Sequence, residues 1–377
     1  MTSVAIIGGK LQGIEAVYLA KKAGMRSLLI DKNPKAPAGG FCDEIGVFDV
    51  CEKEKGLIDF LKKADFILPA LEDDDTHTAL LEISREYGMK LAFDAEAYSV
   101  TSSKLKSDRL IRKLGIPAPR YFPECGGPFI IKPSGESGSV NVIRVETENE
   151  VRRFLAQASD AGNWVVQEFL EGPSYSIEII GIPGNYRTYE ITEIHMSEDY
   201  DCKMVTAPCR ITEKAKESFA EAAKTLAGAI SLSGIMDVEV IDDGNDLKVL
   251  EIDARIPSQT PIVVYHSSGV NLLSELADIT IKGKFDDKKT KRRNYAAIEH
   301  YLFDSEGVHW SGEHIMGEGK PLLYRENFFG SDEALTDYSG GELPWRGTFI
   351  NSADSEEGLA RKRREMLSLF ESEAGRL

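Results

Sequence analysis

Residues 238–255 read VEVIDDGNDLKVLEIDAR, and this stretch decides how the middle of the chain folds. Apolar and polar residues alternate on both sides of the turn-forming run DDGND, which predicts a β-hairpin. If the hairpin centres on Asn245, Glu239 lies opposite Glu251. Asp253 shares their face, because side chains alternate along a strand. The hairpin is therefore expected to bring three carboxylates together.

Three carboxylates on one face repel one another unless a cation lies among them. Mg²⁺ is the expected ion, because it prefers oxygen ligands and usually also contacts nucleotide phosphates. Arg255 lies two positions beyond Asp253 and is placed to bind an anion beside the metal. The alternative is an acidic hairpin edge that faces solvent and binds nothing.

The composition limits the class of protein. The chain has 377 residues, 42% of them hydrophobic, which predicts two or three domains. A formal net charge of −17 argues against nucleic acid as a partner, because a phosphate backbone requires a basic surface. No apolar run is long enough for a membrane-spanning helix, and the first residues do not resemble a signal peptide. Five cysteines without a C-x-x-C pair argue against disulfides and zinc. We therefore expect a cytoplasmic protein with no membrane partner.

Strands and helices alternate from the start of the chain, which predicts an α/β fold with a parallel sheet. The first domain is expected over residues 1–94, with four strands, the last of them at residues 90–93. A second domain is expected over residues 95–289. The remaining residues, 290–377, are expected to form a third, smaller domain that ends in a charged helix.

The run GGKLQG at residues 8–13 follows the first strand and opens a helix. Glycines let the backbone approach a phosphate closely, and a helix N-terminus favours an anion. Asp31 ends the second strand, at about the distance where an acid binds ribose in a dinucleotide fold. The pattern is not G-x-G-x-x-G, so two alternatives stay open: a tight turn, or a loop that binds another ligand through Lys10. A second nucleotide at this loop is expected to contact Leu11, Gln12 and Asp31.

Three further segments carry residues typical of nucleotide binding. Lys132 ends an apolar strand and precedes the loop SGESGS, whose N–H groups and hydroxyls suit a phosphate lid. Residues 164–172, WVVQEFLEG, run from a strand into a connector that suits the edge of a purine. Lys104 opens a predicted helix. Each segment taken alone also has a plain structural explanation, as a glycine-rich hairpin, a strand-to-turn connector or a surface helix.

Together and in this order, the segments resemble the ATP-grasp superfamily over roughly the first 290 residues. The resemblance implies a Rossmann-like domain followed by an ATP-grasp fold, in which two α+β subdomains clamp ATP under a lid at about residues 120–175. A small α/β region would follow. ATP and Mg²⁺ are the implied cofactors. Asp253 stands where the family usually has Asn, and Ser174 stands where many relatives carry a ribose-binding Glu. The residues implied to bind ATP are Lys104, Lys132, Ser139, Glu168, Phe169, Leu170, Glu171 and Glu251, those implied to hold Mg²⁺ are Glu239, Glu251 and Asp253, and Arg255 is implied to stabilise the transferring phosphoryl group.

The resemblance also implies the chemistry. A carboxylate attacks the γ-phosphate of ATP to give an acyl phosphate and ADP, and an amine then displaces phosphate to form an amide. Residues 255–261 and 102–104, with the opening loop, resemble more narrowly an amide-forming ligase of two diamino acids. Acids at residues 72–75 follow a strand, where ligands bind in open α/β sheets, although they also suit a helix N-cap. The residues expected to bind small-molecule amino-acid substrates are Lys10, Glu72, Ser176, Glu178, Arg255, Ser258, Gln259 and Thr260.

Three other functions stay open on the sequence. A carboxylase of the biotin-carboxylase type shares this domain order but would use bicarbonate. An NAD-dependent oxidoreductase would use Gly8, Gly9, Gly13 and Asp31, and would leave Lys132 and the three carboxylates without a role. A nucleotide-binding module without catalysis is the third. No motif encodes the oligomeric state, and a homodimer is one option.

Overall fold

The computed structural model describes residues 1–136, 138, 140–197, 200–286 and 293–374. The first part of the chain alternates strands and helices as the sequence predicts. Its three longest strands are almost entirely buried apolar runs, as in parallel sheets that helices cover. The elements here are β1 (Ser3–Ile7), α1 (Leu11–Lys22), β2 (Arg26–Ile30), β3 (Glu44–Gly46), α2 (Lys55–Leu61), β4 (Phe66–Pro69), α3 (Asp74–Tyr87), α4 (Ala95–Thr101) and α5 (Lys104–Lys113).

The first sheet is parallel and has the order β3-β2-β1-β4. The predicted strand at residues 90–93 is wrong in extent, because that segment contributes only an isolated bridge between Ile67 and Leu91. The unpredicted strand β3 forms the opposite edge, and its three residues are too few to show a period in the sequence. The loops after β1 and β4 lie at the carboxyl edge of this sheet, where open α/β folds bind ligands.

A separate antiparallel sheet of three strands lies within the range predicted for the lid. The helix that covers it begins with a capping box, in which Thr147 and Glu150 exchange side chain to backbone hydrogen bonds. Val151 and Phe154 of this helix pack against Phe129 and Ile131 of the sheet. The elements are β5 (Phe129–Pro133), β6 (Ile143–Val145), α6 (Glu148–Gln157) and β7 (Trp164–Glu168).

The third sheet is antiparallel and has eleven strands. Strand Cys202–Ala207 pairs with strand Tyr295–Asp304, so the sheet continues across the domain boundary predicted near residue 290. The elements are β8 (Ser174–Ile182), β9 (Asn185–Thr188), β10 (Thr192–Met196), β11 (Cys202–Ala207), α7 (Glu213–Ala229), β12 (Gly234–Asp242), β13 (Leu247–Asp253), α8 (Thr260–Ser268), α9 (Leu272–Lys282), β14 (Tyr295–Asp304), β15 (Gly307–Ser311), α10 (His314–Gly317), β16 (Leu323–Glu326), β17 (Glu333–Thr336), β18 (Trp345–Ala353) and α11 (Glu356–Ala374).

The hairpin β12–β13 has the predicted pairing of Glu239 with Glu251, and a β-bulge produces it. Next to the turn, Val240 pairs with Val249, so Leu250 is left over on β13 and the register shifts by one residue. Beyond the bulge, Glu239 and Glu251 lie opposite each other. The turn itself is closed by the Asp243 carboxylate, which accepts the backbone N–H of Asp246 at 3.0 Å.

Helix α1 of the first domain packs into one core with α8 and α9. The buried hydroxyl of Tyr18 lies 2.6 Å from His266 Nε2 on α8 and donates to Glu333 on β17 at 2.6 Å. Tyr18 thus connects the first domain, the middle of the chain and the C-terminal strands. None of the described helices is both long and apolar enough to cross a membrane.

Candidate active site

The candidate site lies on one face of three neighbouring strands, β8, β12 and β13. The pairing of these strands aligns their polar side chains in two rows across the sheet, because residues that lie directly opposite share a face. Five of the six side chains are carboxylates. The first row is Ser176, Glu239 and Glu251, and the second row is Glu178, Asp237 and Asp253.

Three cations lie among these carboxylates. Lys104 Nζ lies 2.6 Å from Glu251 Oε1, and both lysines of the site are buried. Lys132 Nζ lies 3.3 Å from the carbonyl oxygen of Leu250, the bulged residue of β13, and burial lowers the pKa of this lysine. Arg255 Nη2 lies 3.3 Å from Asp253 Oδ2. The predicted lysines and the predicted carboxylates therefore meet at one place.

The predicted Mg²⁺ ligands have suitable chemistry, since all are hard oxygen donors on one face of the sheet. Glu251 and Asp253 turn toward Lys104 and Arg255, and the described part of the chain contains no three His, Cys, Asp or Glu side chains in a metal-binding arrangement. Burial raises the pKa of Glu239 to about 8, and the charge of Glu251 acts in the same direction. A divalent cation would relieve this repulsion, so the donor set fits the ion once Glu251 leaves Lys104.

A cleft of about 310 Å³ separates the lid sheet from β12 and β13, and we call it the lid cleft. Glu168 lines it but is held by neighbours, because its carboxylate accepts from Arg120 Nε at 2.8 Å and from Lys248 Nζ at 3.0 Å. Arg144 covers the ring of Phe169 at 4.3 Å. Ser139 lies outside the described residues. The other predicted ATP ligands that line the lid cleft are Lys104, Lys132, Phe169, Leu170, Glu171 and Glu251.

A larger cavity of about 730 Å³ lies at the carboxyl edge of the first sheet, and we call it the first-domain cavity. Asp31 is bound to the loops, since its carboxylate accepts the N–H groups of Gly9 and Asn33, each at 2.8 Å. Gln12 donates to Glu72 at 2.8 Å. The predicted residues that line this cavity are Lys10, Leu11, Gln12, Asp31 and Glu72.

A small central cavity of about 120 Å³ is lined by the β12 and β13 acids of the two rows and by the loop after β13. Ser176 and Glu178 of β8 are not among its lining residues. Arg255 lines it and also forms an ion pair with Glu72, from Nε to Oε1 at 2.7 Å. Because Glu72 belongs to the first-domain cavity, this pair marks where the two cavities approach each other. Three further predicted substrate residues line the central cavity: Ser258, Gln259 and Thr260.

Gln259 has a backbone conformation that non-glycine residues rarely adopt, with φ at +66°. The buried Glu15 of α1 holds it, accepting the N–H of Gln259 at 3.0 Å and that of Ile262 at 2.6 Å. The Gln259 side-chain oxygen lies 2.8 Å from His300 Nε2. Glu15 of the first domain and His300 of β14 thus hold Gln259 in this strained conformation. These contacts place the loop after β13 against the central cavity.

Two buried acids lie opposite each other in the second row. Oδ1 of Asp237 lacks a hydrogen-bond partner among the described residues, whereas Glu178 has the Thr260 side chain as a hydrogen-bonding neighbour. Burial raises the pKa of Glu178 to about 7 and raises that of Asp237 well above its ordinary value. The hydroxyl of Ser176 in the first row is also unpartnered within the described part of the chain. Such groups are available to a polar ligand.

Three acids that line the central cavity were not predicted from the sequence: Asp201, Asp237 and Glu313. Asp237 could have been found, because it lies two residues before Glu239 on the same strand and therefore on the same face. Glu313 comes from the C-terminal region, just before α10, and carries no local signal. Only the folded chain places it beside the loop after β13.

Comparison with known proteins agrees with this geometry. The family model of the ATP-grasp domain matches residues 101–259. The 3-methyl-D-ornithine–L-lysine ligase of Methanosarcina mazei is 35% identical, and the alignment covers 100% of this chain and 97% of that enzyme. The chain belongs to the 3-methyl-D-ornithine–L-lysine ligase family. A second member, from Methanosarcina acetivorans, is 37% identical, with 88% of this chain and 86% of that enzyme covered.

The fold of this ligase family also occurs in carboxylases. The biotin carboxylase domain dimer of Hydrogenobacter thermophilus 2-oxoglutarate carboxylase, solved with MgADP and bicarbonate, superimposes with a TM-score of 0.74. The match covers 97% of this chain and 89% of that chain at 14% identity, so the likeness concerns the fold alone. Membership of the ligase family confirms the narrower resemblance seen in the sequence. The carboxylase and oxidoreductase alternatives are not favoured.

Proposed function

We propose that the chain activates the carboxylate of 3-methyl-D-ornithine with ATP and joins it to the side-chain amine of L-lysine, releasing ADP and phosphate. The reaction would be a step of pyrrolysine biosynthesis. The observation that carries the proposal is the central cavity, where the β12 and β13 acids of the two rows, Arg255 and the loop after β13 meet. The identity with two curated ligases over most of the chain supports the choice of substrates.

The lid cleft is the proposed ATP site. Lys104 and Lys132 would bind the phosphates, and Phe169, Leu170 and Glu171 would line the adenosine. Glu168 would keep the connector in place through Arg120 and Lys248, since its carboxylate is already engaged by these cations. We propose that the domain limits are those expected from the sequence, with the lid at about residues 120–175 closing over this cleft.

Glu239, Glu251 and Asp253 would hold Mg²⁺, which neutralises phosphate charge when it is bound. Lys104 would then leave Glu251 for a phosphate oxygen. Arg255 would bind the transferring phosphoryl group and the acyl phosphate, because its guanidinium lines the central cavity beside Asp253.

The two amino acids would enter from different sides. Ser258, Gln259 and Thr260 would bind the acyl donor in the central cavity, with Ser176 and Glu178 contributing from β8 beside it. The buried carboxylate of Glu178 supports this role, because a buried acid next to Thr260 suits an ammonium group. Lys10 and Glu72 would bind the carboxylate and the α-ammonium of L-lysine in the first-domain cavity. Its side chain would then extend toward Arg255, where the two cavities approach each other.

The test is Mg²⁺-dependent ADP release with 3-methyl-D-ornithine and L-lysine, each alone and together, followed by mass spectrometry. We expect full turnover only with both amino acids and a product whose mass equals their sum less water. ADP release that follows bicarbonate and ignores the amino acids would contradict the proposal. Two properties stay predictions: a homodimer, which sedimentation equilibrium would measure, and a second nucleotide near Leu11, Gln12 and Asp31, which equilibrium dialysis would detect.

A further inference from the structure

Glu313 lies where the central cavity and the first-domain cavity approach each other. It lines the central cavity, whereas His314 and Gly317, in the helix that follows it, line the first-domain cavity. Its backbone N–H donates to the carbonyl oxygen of Cys202 at 2.9 Å, which fixes the segment to β11. Ser258 and Gln259 hydrogen-bond to its carboxylate, so Glu313 contacts the loop that borders the acyl donor.

The second half of the proposed reaction, in which the amine attacks the acyl phosphate, requires a base where the two cavities approach each other. The side-chain amine of lysine has an ordinary pKa of about 10.4, so at pH 7 almost all of it is an ammonium ion without a free electron pair. The ammonium ion cannot attack the acyl phosphate until a proton leaves. The accepting group has to lie beside both the amine donor and the activated carbonyl carbon.

Other acids near this place are engaged elsewhere. Glu72 is bound by Arg255 and by Gln12. Asp201, which also lines the central cavity, forms an ion pair with His314. Glu239, Glu251 and Asp253 belong to the proposed Mg²⁺ site, and Asp237 lies directly opposite Asp253 beside that site. Glu178 is not among the described residues that line the central cavity. Glu313 also lines the cavity, and its carboxylate is hydrogen-bonded by two neutral side chains, Ser258 and Gln259.

We propose that Glu313 is the general base that accepts a proton from the ammonium group of the amine donor, an inference that rests on the proposed ligase function. Glu313 takes one proton and becomes a carboxylic acid. The freed nitrogen electron pair forms the C–N bond, and the C–O bond to phosphate breaks with its electron pair on phosphate. The second amine proton leaves with the phosphate, and Glu313 then releases its proton to water.

The surroundings of Glu313 suit this role. Burial raises its pKa to about 7, which is near the value that serves a base at neutral pH, and the charge of Asp201 acts in the same direction. Ser258, Gln259 and Arg255 oppose the shift. The charged or titratable groups around it come from five elements and their flanking residues: Glu15 on α1, Glu239 on β12, Asp201 and Cys202 at β11, Arg255 after β13, and His314 on α10.

The experiment compares two nucleophiles in the Glu313→Gln variant with 3-methyl-D-ornithine and MgATP. L-Lysine needs a base, whereas hydroxylamine is mostly neutral at pH 7 and attacks the acyl phosphate without one. We expect hydroxamate formation within about threefold of the unmodified enzyme and amide formation lower by about 10²–10⁴-fold. Glu306→Gln, on an exposed loop, serves as the control and should keep both rates.

Two results would overturn the assignment: an equal loss with both nucleophiles, which indicates a structural role, or an unchanged amide rate. An unmodified enzyme that forms neither product would instead refute the ligase function, and the base with it. If Glu313→Gln does not fold by circular dichroism, the pH profile of the unmodified enzyme decides. The ratio of amide to hydroxamate should rise up to about pH 7 and then level off. A ratio that rises about tenfold per pH unit to about pH 8.5 means that no base acts.

Discussion

Arg255 and Glu72 form an ion pair, 2.7 Å from Nε to Oε1, that joins the loop after β13 to the loop after β4. Arg255 also approaches Asp253 at 3.3 Å. One guanidinium therefore connects the acids on the central sheet with the first-domain cavity. A change at Glu72 should act on amine binding first and on acyl-phosphate formation only through Arg255.

Glu72→Gln removes the charge from this pair and from the proposed lysine site. Hydrogen bonds to charged groups contribute about 1.5–3 kcal/mol, so the KM for L-lysine should rise by about 10-fold to 100-fold. Hydroxamate formation, which needs no lysine, should change far less. Glu82→Gln, on α3, breaks a surface ion pair with Lys53 and should leave both reactions unchanged. Equal losses in the two reactions would show that Glu72 acts mainly by holding Arg255.

Glu251→Gln tests the metal ligands. The variant loses one proposed Mg²⁺ ligand and the partner of Lys104, so half-maximal activity should need more Mg²⁺ and ADP release should fall by about 10²–10³-fold. The measurement is ADP release against Mg²⁺ concentration. Asp246→Asn, at the exposed tip of the same hairpin, is the matched control. An unchanged Mg²⁺ dependence in Glu251→Gln would remove Glu251 from the metal site.

The sequence could predict the hairpin because its signal is local: two apolar, alternating strands and a turn rich in Asp, Asn and Gly. It could also predict that Glu239 faces Glu251, but the reason is more complicated than a symmetric turn. The pairs nearest the turn are offset by one residue, and the bulge at Leu250 restores the alignment. Sequence periodicity cannot locate a bulge, since the unpaired residue is itself apolar.

Residues that reach the site from distant parts of the chain could not be predicted. The local sequence around Glu313 and His300 does not mark either residue as part of a site. Only the tertiary fold brings them to the loop at Gln259. The strand expected at residues 90–93 is an error in the other direction, a local signal that the fold does not use. The residues have strand composition, but the segment forms only one bridge to the sheet. Glu168 was expected at the adenine, and the structure pairs its side chain with two cations.

Tyr18→Phe tests how the three parts of the chain are held together. The hydroxyl of Tyr18 is buried between His266 and Glu333, and Phe cannot donate to the Glu333 carboxylate. Lys22 still holds the other oxygen of this half-buried carboxylate at 2.6 Å, but loss of the Tyr18 donor should lower the free energy of unfolding by about 1–3 kcal/mol. Urea denaturation would measure it. Tyr87→Phe, at an exposed position on α3, should change stability by less than about 0.5 kcal/mol. Equal stability of Tyr18→Phe and the unmodified protein would show that Glu333 is satisfied without Tyr18.

His300 should make stability depend on pH. Its ring is buried between Thr348 and Gln259, each 2.8 Å away, and burial lowers its pKa to about 3. The unfolded chain takes up a proton at this histidine below about pH 6.5, whereas the folded chain does so only near pH 3. The stability that neutral His300 provides is therefore complete above about pH 6.5 and falls as the pH decreases from there to about 3, by about 1.4 kcal/mol per pH unit.

The measurement that isolates this effect compares His300→Gln with the unmodified protein, because other titrating groups are common to both. Gln can still accept from Thr348 and donate to the Gln259 oxygen, so the fold should persist. Urea unfolding at about pH 7.5 and about pH 5.5 should give a stability difference that shifts by about 1.4 kcal/mol in favour of the variant at the lower pH. A difference that is the same at both pH values would mean that His300 is protonated as easily in the folded chain as in the unfolded one.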